Sequence, residues 1–450
     1  MNFRLKFIRW LFPSIVGIFA LWTIGGNLLA DYLEKDIKQE IEEYAKQFPY
    51  KEPNDSALKL EAILAKKMGI GVFGVSRYQG VYKIATYTSH SDFDVSKSAN
   101  NDFENIQEKL TQYLDAQNAK PNDQIDAPPV ELQRYLASQT DGLAAIKDHI
   151  LNNQVPQWEQ MDFLVADYDV ALPSSLGLAN LQKIMALDIL EKTRLGKDRE
   201  ALEMLEVSWK INKSLSNSYT LIGQLVALII VNYQAGVIRK LDNIPPEWQQ
   251  RFLEHDYRQS VLKSIEGEYI MQFNFVKLIF NNKMDTSFWE DWYEEDKLIY
   301  LVLRLDLLTR PYIRFSAIDS YHVGKEALAH LPTQNVCLST KTPDINQAWW
   351  NINPILISFF NQELKAAKYM LELEFSQKIL QVKEIAAKQG KWPDSLPKME
   401  SSFCPGYRWV YQVSEEGEMS ISLNEKPDWA KDRTLPLTYR DKTIPKSPKK

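Results

Sequence analysis

Cysteine and histidine are scarce in this 450-residue chain, which has two of the first and five of the second. Two thiols exclude a disulfide-dense scaffold and a cysteine-rich zinc module. His90, His149, His255, His322 and His330 form no HExxH and no pair three or four residues apart, the spacings that set two imidazoles on one helix face. Phosphate-cradling loops are missing as well: Gly69-Ile70-Gly71-Val72-Phe73-Gly74 fits neither GxxxxGK(S/T) nor GxGxxG. There is no G-x-S-x-G elbow and no S-x-x-K set with its partner motifs, and Cys404 has no neighbouring histidine. No catalytic residue and no cofactor is expected from these patterns. Excess positive charge is absent too. Lys and Arg total 53 against 59 Asp and Glu, for a net charge of −6, which argues against broad nucleic-acid binding. Hydrophobic residues at 45% and charged residues at 25% exclude collagen-like, wholly disordered and multi-span classes.

Long apolar runs are few, and the first stands at the N-terminus. Arg4, Lys6 and Arg9 precede Leu11–Ala30, which carries no charge; Asp31, Glu34 and Asp36 follow. Helical rise over such a stretch gives about 30 Å, the thickness of a bilayer's hydrocarbon. The basic flank predicts a cytoplasmic N-terminus, with the chain beyond Asp31 extracytoplasmic, in the periplasm. An uncleaved anchor over residues 11–30 is the preferred reading. A signal peptide cut after Leu28-Leu29-Ala30 is the alternative. Both put the body outside the cytoplasm.

The body reads mainly as helix. Asp31–Gln47 is charged and continues the anchor like a stalk. Asn54-Asp55-Ser56 caps a helix over Ala57–Met68. Val81–Tyr87 has the composition of a short strand or an extended loop segment, and Asn118–Ala127 looks like a linker. Helical spacing follows over Val130–Asn152 and Leu178–Leu195. Gly196-Lys197-Asp198 then joins Leu178–Leu195 to the next helix as an αα-hairpin. Ser218–Leu241 is strongly apolar, but Gln224, Asn232 and Gln234 interrupt it, so it reads as the central buried helix. Helices near Tyr257–Phe280, Trp289–Leu308, Tyr312–Leu331 and Ile352–Gln389 come next, with a break at Arg310-Pro311. Tyr407–Val413 and Met419–Leu423 alternate around a Gly417 turn and predict a β-hairpin. The expected fold is mainly α: an N-terminal transmembrane helix, a multi-helix (αα-hairpin) domain and a small C-terminal β-hairpin. The divisions are 1–30 anchor, 31–127 stalk and N-terminal portion, 128–390 main helical domain, 391–426 hairpin segment and 427–450 disordered tail.

Two sets of residues are candidates for more than packing. A disulfide between Cys337 and Cys404 would tie the hairpin segment to the loop before the last long helix. Pairing is not written in sequence, and two separate buried thiols is the favoured reading. Glu266, Glu290 and Asp291 lie near aromatics, the last two between Trp289 and Trp292, and Trp349-Trp350 form a further pair. Paired carboxylates beside stacking rings suit a glycan- or peptidoglycan-binding groove or a carboxylate-dependent glycan-active enzyme. Acids on helices more often form a solvated face.

Gly196–Glu206 is similar to the entry of a tetratricopeptide second helix, over one hairpin, with no 34-residue repeat elsewhere. Leu205–Leu215, Leu221–Leu225, Asn54–Glu61 and Trp392–Leu396 resemble uncharacterised membrane-anchored bacterial envelope proteins of cyanobacterial type. That resemblance implies an anchored helical protein without an assigned activity. The expected partners are the membrane, through residues 11–30, and a protein. Cell-wall glycan is the alternative.

Overall fold

The computed structural model describes residues 13–49, 51–71, 97–158, 175–216, 218–242, 244–280, 306–331, 337, 348, 357–397, 399–431 and 437–444. Helix α1, Pro13–Gln47, is one rod of 35 residues, with a π turn at Leu21–Gly25. Its charged half is not a free stalk. Ala30, Glu34, Ile37, Ile41 and Tyr44 are buried, and their alternating spacing of four and three residues makes one continuous helix face. High charge on the other face concealed this stripe in the sequence.

Helix α2, Asp55–Ile63, opens on Asn54, whose side chain accepts the Ala57 N–H at 2.9 Å, and runs on through a π stretch to Met68. Then come α3 (Lys97–Ala119), α4 (Val130–Ser138), α5 (Thr140–Asn152), α6 (Ser175–Arg194), α7 (Asp198–Leu215), α8 (Leu221–Ile238), α9 (Trp248–Glu254), α10 (Tyr257–Phe280), α11 (Asp306–His330) and α12 (Ile357–Gln389). The helix expected over Val130–Asn152 is two, because Gln139 turns the backbone between them at φ −91°, ψ −1°. Between α6 and α7 the chain reverses at Gly196, φ +72°, where the Lys197 N–H reaches back to the Lys192 carbonyl at 2.8 Å.

Helix α8 is the centre, packed by α3, α6, α7, α10 and α12. Its glutamines are internal contacts. Gln224 Nε2 donates to the Ser218 carbonyl at 2.6 Å, and Gln234 Nε2 donates to Ser208 Oγ at 2.7 Å. One apolar core runs from Ala30 to Leu380 in sequence, so the charged half of α1 and helix α3 share it with the helices after Val130.

A second core lies between α12 and a C-terminal antiparallel sheet. Strands β1 (Trp409–Val413), β2 (Met419–Leu423) and β3 (Thr438–Asp441) take that spatial order. Trp409 pairs with Leu423, and Ile421 with Tyr439. The expected hairpin is therefore a three-stranded sheet. The third strand and a short helix, α13 (Asp428–Lys431), lie where a disordered tail was expected. Leu437 and Tyr439 are each 2% exposed; this short alternation is diluted by the polar residues around it. The sheet's Trp409 ring stacks on Phe375 of α12 at 5.1 Å between centroids. The break expected at Arg310-Pro311 is also absent, since α11 runs through Pro311. The strand expected over Val81–Tyr87 lies outside the described residues, as does most of the helix expected over Trp289–Leu308.

Candidate functional site

The first candidate site is the place where α1 leaves the body. Helices α1 and α11 lie side by side. Trp22 Nε1 donates to the Leu308 carbonyl at 2.7 Å, beside the Leu307 carbonyl that Pro311, lacking an N–H, does not serve. Arg314 Nη1 donates to the Asn27 carbonyl at 3.2 Å and Oδ1 at 3.1 Å; its Nε donates to Glu34 Oε1 at 2.7 Å and Nη2 to Asp31 Oδ1 at 2.5 Å. Further along, Glu40 accepts from Tyr321 Oη at 2.9 Å and Lys325 Nζ at 2.5 Å. Partner numbers rise together, with offsets from 280 to 287. The two helices are thus parallel and in step. Gly26 permits the approach: a Cβ there would stand 2.9 Å from the Pro311 Cβ, closer than two carbons tolerate.

The outward face of α1 is covered by nothing in the described chain. Ile18, Leu21, Ile24 and Leu28 are 64–75% exposed. Together with its length, this makes the start of α1 apolar enough to cross a membrane. The Leu221–Ile238 helix passes the same test of length and composition but is mostly buried.

The second candidate is a cleft of about 270 Å³ between α10 and α11, lined by Leu262, Lys263, Glu266, Tyr269, Tyr321 and Lys325 among others. The Tyr269 ring fills the space that a side chain on residue 324 would need. Glu266 presents much of its surface to solvent. The cleft walls nevertheless crowd its carboxyl, and this desolvation pushes its pKa up. Lys325 and Lys263 oppose that rise, and the Glu40 charge adds to it. Glu40 goes the other way: desolvation is outweighed by the bonds from Lys325 and Tyr321, which hold it below the usual carboxylate value. Neighbouring Glu268 is raised by burial, with partial relief from the Leu221 N–H. The cleft thus offers a carboxyl of raised pKa and two ammonium groups; the Tyr269 and Tyr321 rings in its wall are packed inward, 3% and 5% exposed.

Of the residues singled out in the sequence, Glu266 lines this cleft. Trp289, Glu290, Asp291, Trp292, Trp349 and Trp350 lie outside the described residues. Cys337 and Cys404 form a disulfide with 5.5 Å between their Cα atoms, which replaces the favoured reading of two separate thiols. The sheet brings them together: the Tyr407 hydroxyl donates to the Cys337 carbonyl at 3.2 Å, and both cysteines sit in the second core. Among the histidines, His149 Nε2 lies 2.9 Å from the Ser56 carbonyl, and His255 Nε2 lies 2.9 Å from Ser260 Oγ. Among the described residues no three of His, Cys, Asp and Glu gather as metal ligands.

Compared with family models, curated proteins and solved structures, the chain matches none. The resemblances seen in the sequence rest on their own residues.

Sequence reasoning missed Arg314, Tyr321 and Lys325, whose partners are some 280 residues away. It also missed a polar cluster behind the sheet. Lys383, 4% exposed, binds the Asp123 carboxylate and donates to the Arg239 carbonyl at 2.5 Å. Tyr439 also binds Asp123. Lys240 donates to the Asn122 carbonyl at 2.9 Å, and Arg239 pairs with Glu372 at 3.2 Å. The stretch that read as a linker is thereby fixed to α8, α12 and β3. Burial first, and the Asp123 charge second, push the Asp441 pKa up to about 6. Burial lowers Lys240 to about 8.

Proposed function

We propose that this is a single-pass membrane protein of the bacterial envelope, with a cytoplasmic N-terminus and a helical body held outside the cytoplasm. Its role is that of a mounted interaction or scaffold module for a protein partner. The observation that carries this reading is the exposed apolar start of α1, which continues without a break into a packed body. Arg4, Lys6 and Arg9 before it favour the stated orientation. The Cys337–Cys404 disulfide suits an oxidising compartment.

Fractionation tests the anchor. Wild-type protein is expected to stay with membranes through an alkaline wash, and Ile18→Lys with Leu21→Lys is expected to release it. A soluble wild-type chain that begins at Asp31 would overturn the anchor in favour of a cleaved signal. Affinity purification from solubilised membranes addresses the protein partner. A second reading, glycan contact in the cleft, is favoured by the Glu266 carboxyl, which shares the cleft with Lys263 and Lys325. It expects the full chain to sediment with insoluble cell wall and Glu266→Gln to weaken this. Equal sedimentation with and without cell wall refutes it.

A further inference from the structure

We infer that the first turns of α11, from Leu308 to Ile313, lie within the outer leaflet of the bilayer beside α1, so that the membrane-embedded element is a helix pair in its distal half. The inference rests on the anchor reading and deepens it. Three observations carry it.

The first is depth. Trp22 bonds the Leu308 carbonyl, and Trp22 lies eight residues before Ala30, about 12 Å along the axis. Leu308 is therefore well below the level at which the charge-free run of α1 ends. The second is where lipid-compatible surface ends. On its outward face α1 stays apolar and exposed past the Trp22 level, through Leu28 at 64% and Leu29 at 52%, with Tyr32 at 74%. A tyrosine at that edge suits the headgroup layer. Over the same levels the inward face of α1 is occupied by Pro311, Arg314 and Phe315. Any membrane that covers the outward face to Leu29 must also reach the start of α11.

The third is how charge is handled there. Arg314 is 13% exposed and is bonded to Asn27, Asp31 and Glu34, the last only 2% exposed. Ionised groups near hydrocarbon survive when they are paired with one another and with backbone carbonyls, and this cluster does both. Leu308, Ile313 and Phe315 are half-buried on the same helix, and so is Arg310, which stands among them. Trp22, with its indole N–H satisfied by Leu308 and its ring 6.3 Å from Phe315, ties the two helices at that depth. The bilayer is thus the occupant of this face, as a continuation of the surface it meets on α1.

Spin labels measure the depth directly. The chain's two cysteines are paired with each other, so an added cysteine is the only free thiol. The full chain is placed in nanodiscs of phosphatidylcholine and phosphatidylglycerol, labelled at Leu308→Cys, Leu21→Cys or Glu326→Cys. Each label's collision rates with oxygen and with a water-soluble nickel chelate are compared. The Leu308 label is expected to favour oxygen severalfold over the Glu326 label, approaching the Leu21 label. Ile313→Cys is a second reporter if a label at 308 disturbs the Trp22 contact, and it should fall between Leu308 and Glu326. Nickel access at 308 and 313 equal to that at 326, with Leu21 still deep, overturns the inference and leaves the anchor standing. Nickel access at Leu21 as well would overturn both.

Discussion

Replacing Arg314 by leucine removes the charge that joins α1 to α11. The size of the effect follows from which of its partners are buried. Asp31 is 62% exposed, and its pairing is worth about 0–1 kcal/mol. Glu34 is 2% exposed. Without the guanidinium, Lys38 still stands 3.7 Å away, half exposed. Breaking a buried pair by removing one partner costs about 3–5 kcal/mol. With Lys38 still present, about 3 kcal/mol is expected. Urea unfolding of the full chain in detergent, followed by circular dichroism, reads this loss. The decisive comparison is the double variant Arg314→Leu/Glu34→Leu, which leaves no stranded carboxylate. It should be more stable than Arg314→Leu alone by about 2 kcal/mol, because a buried pair exchanged for apolar side chains is often close to neutral. The reasoning is refuted if Arg314→Leu lies within about 0.5 kcal/mol of wild type, the ordinary range for a surface substitution. It is equally refuted if the double variant loses the sum of the two singles.

Cys404→Ser opens a loop that spans 67 residues in sequence. In the chain-entropy model this costs roughly 4 kcal/mol, readable as a lower urea midpoint. Wild type alone should change gel mobility on reduction. Gly26→Val sets a side chain against the Pro311 ring, which would sit 2.9 Å from the new Cβ. A rigid ring cannot swing aside, so about 1–3 kcal/mol of stability is expected to go, measured by the same unfolding curve. Asp441 has its folded pKa raised to about 6, above the usual 3.8. Its contribution to stability is full below about pH 4 and is lost as pH rises through 6. Asp441→Asn removes that dependence, so the Tm difference between variant and wild type should shift in the variant's favour between pH 4 and 7. An unchanged difference would refute the assignment.

The elements legible in the sequence are those whose signals are local. Asn54 announced α2, Gly196 announced the α6–α7 turn, and Gln224 with Gln234 separated α8 from a membrane span. The alternation around Gly417 announced the β1–β2 hairpin. What stayed hidden depends on distant partners. Pro311 is a helix breaker by composition, but it stands early in α11, where Gly26 of α1 receives its ring. Tyr439 reads as a lone aromatic in a polar tail until β2 and Asp123 are placed beside it. Cys337 and Cys404 become neighbours only through the fold of the second core. In the cleft, Glu266 stands out in the sequence by its nearby aromatics on α10. The residues facing it, Tyr321 and Lys325, come from another helix, and their own partner Glu40 comes from a third.

A body hung on a loose tether sweeps a hemisphere, and linker length decides what it meets. In the anchored reading no such freedom exists, because α1 enters the core without a joint and α11 braces it along its length. Glu40 stands about ten residues beyond Ala30, or about 15 Å along the axis. The cleft beside it therefore opens at one fixed height and in one direction. Encounter becomes a search in two dimensions. A partner that shares the membrane and carries its contact surface at that height meets the cleft at a concentration set by lateral crowding rather than by linker reach. A partner of another height does not meet it at all. In that reading the α1–α11 pair is a ruler, which would select partners by stature before any side chain is compared.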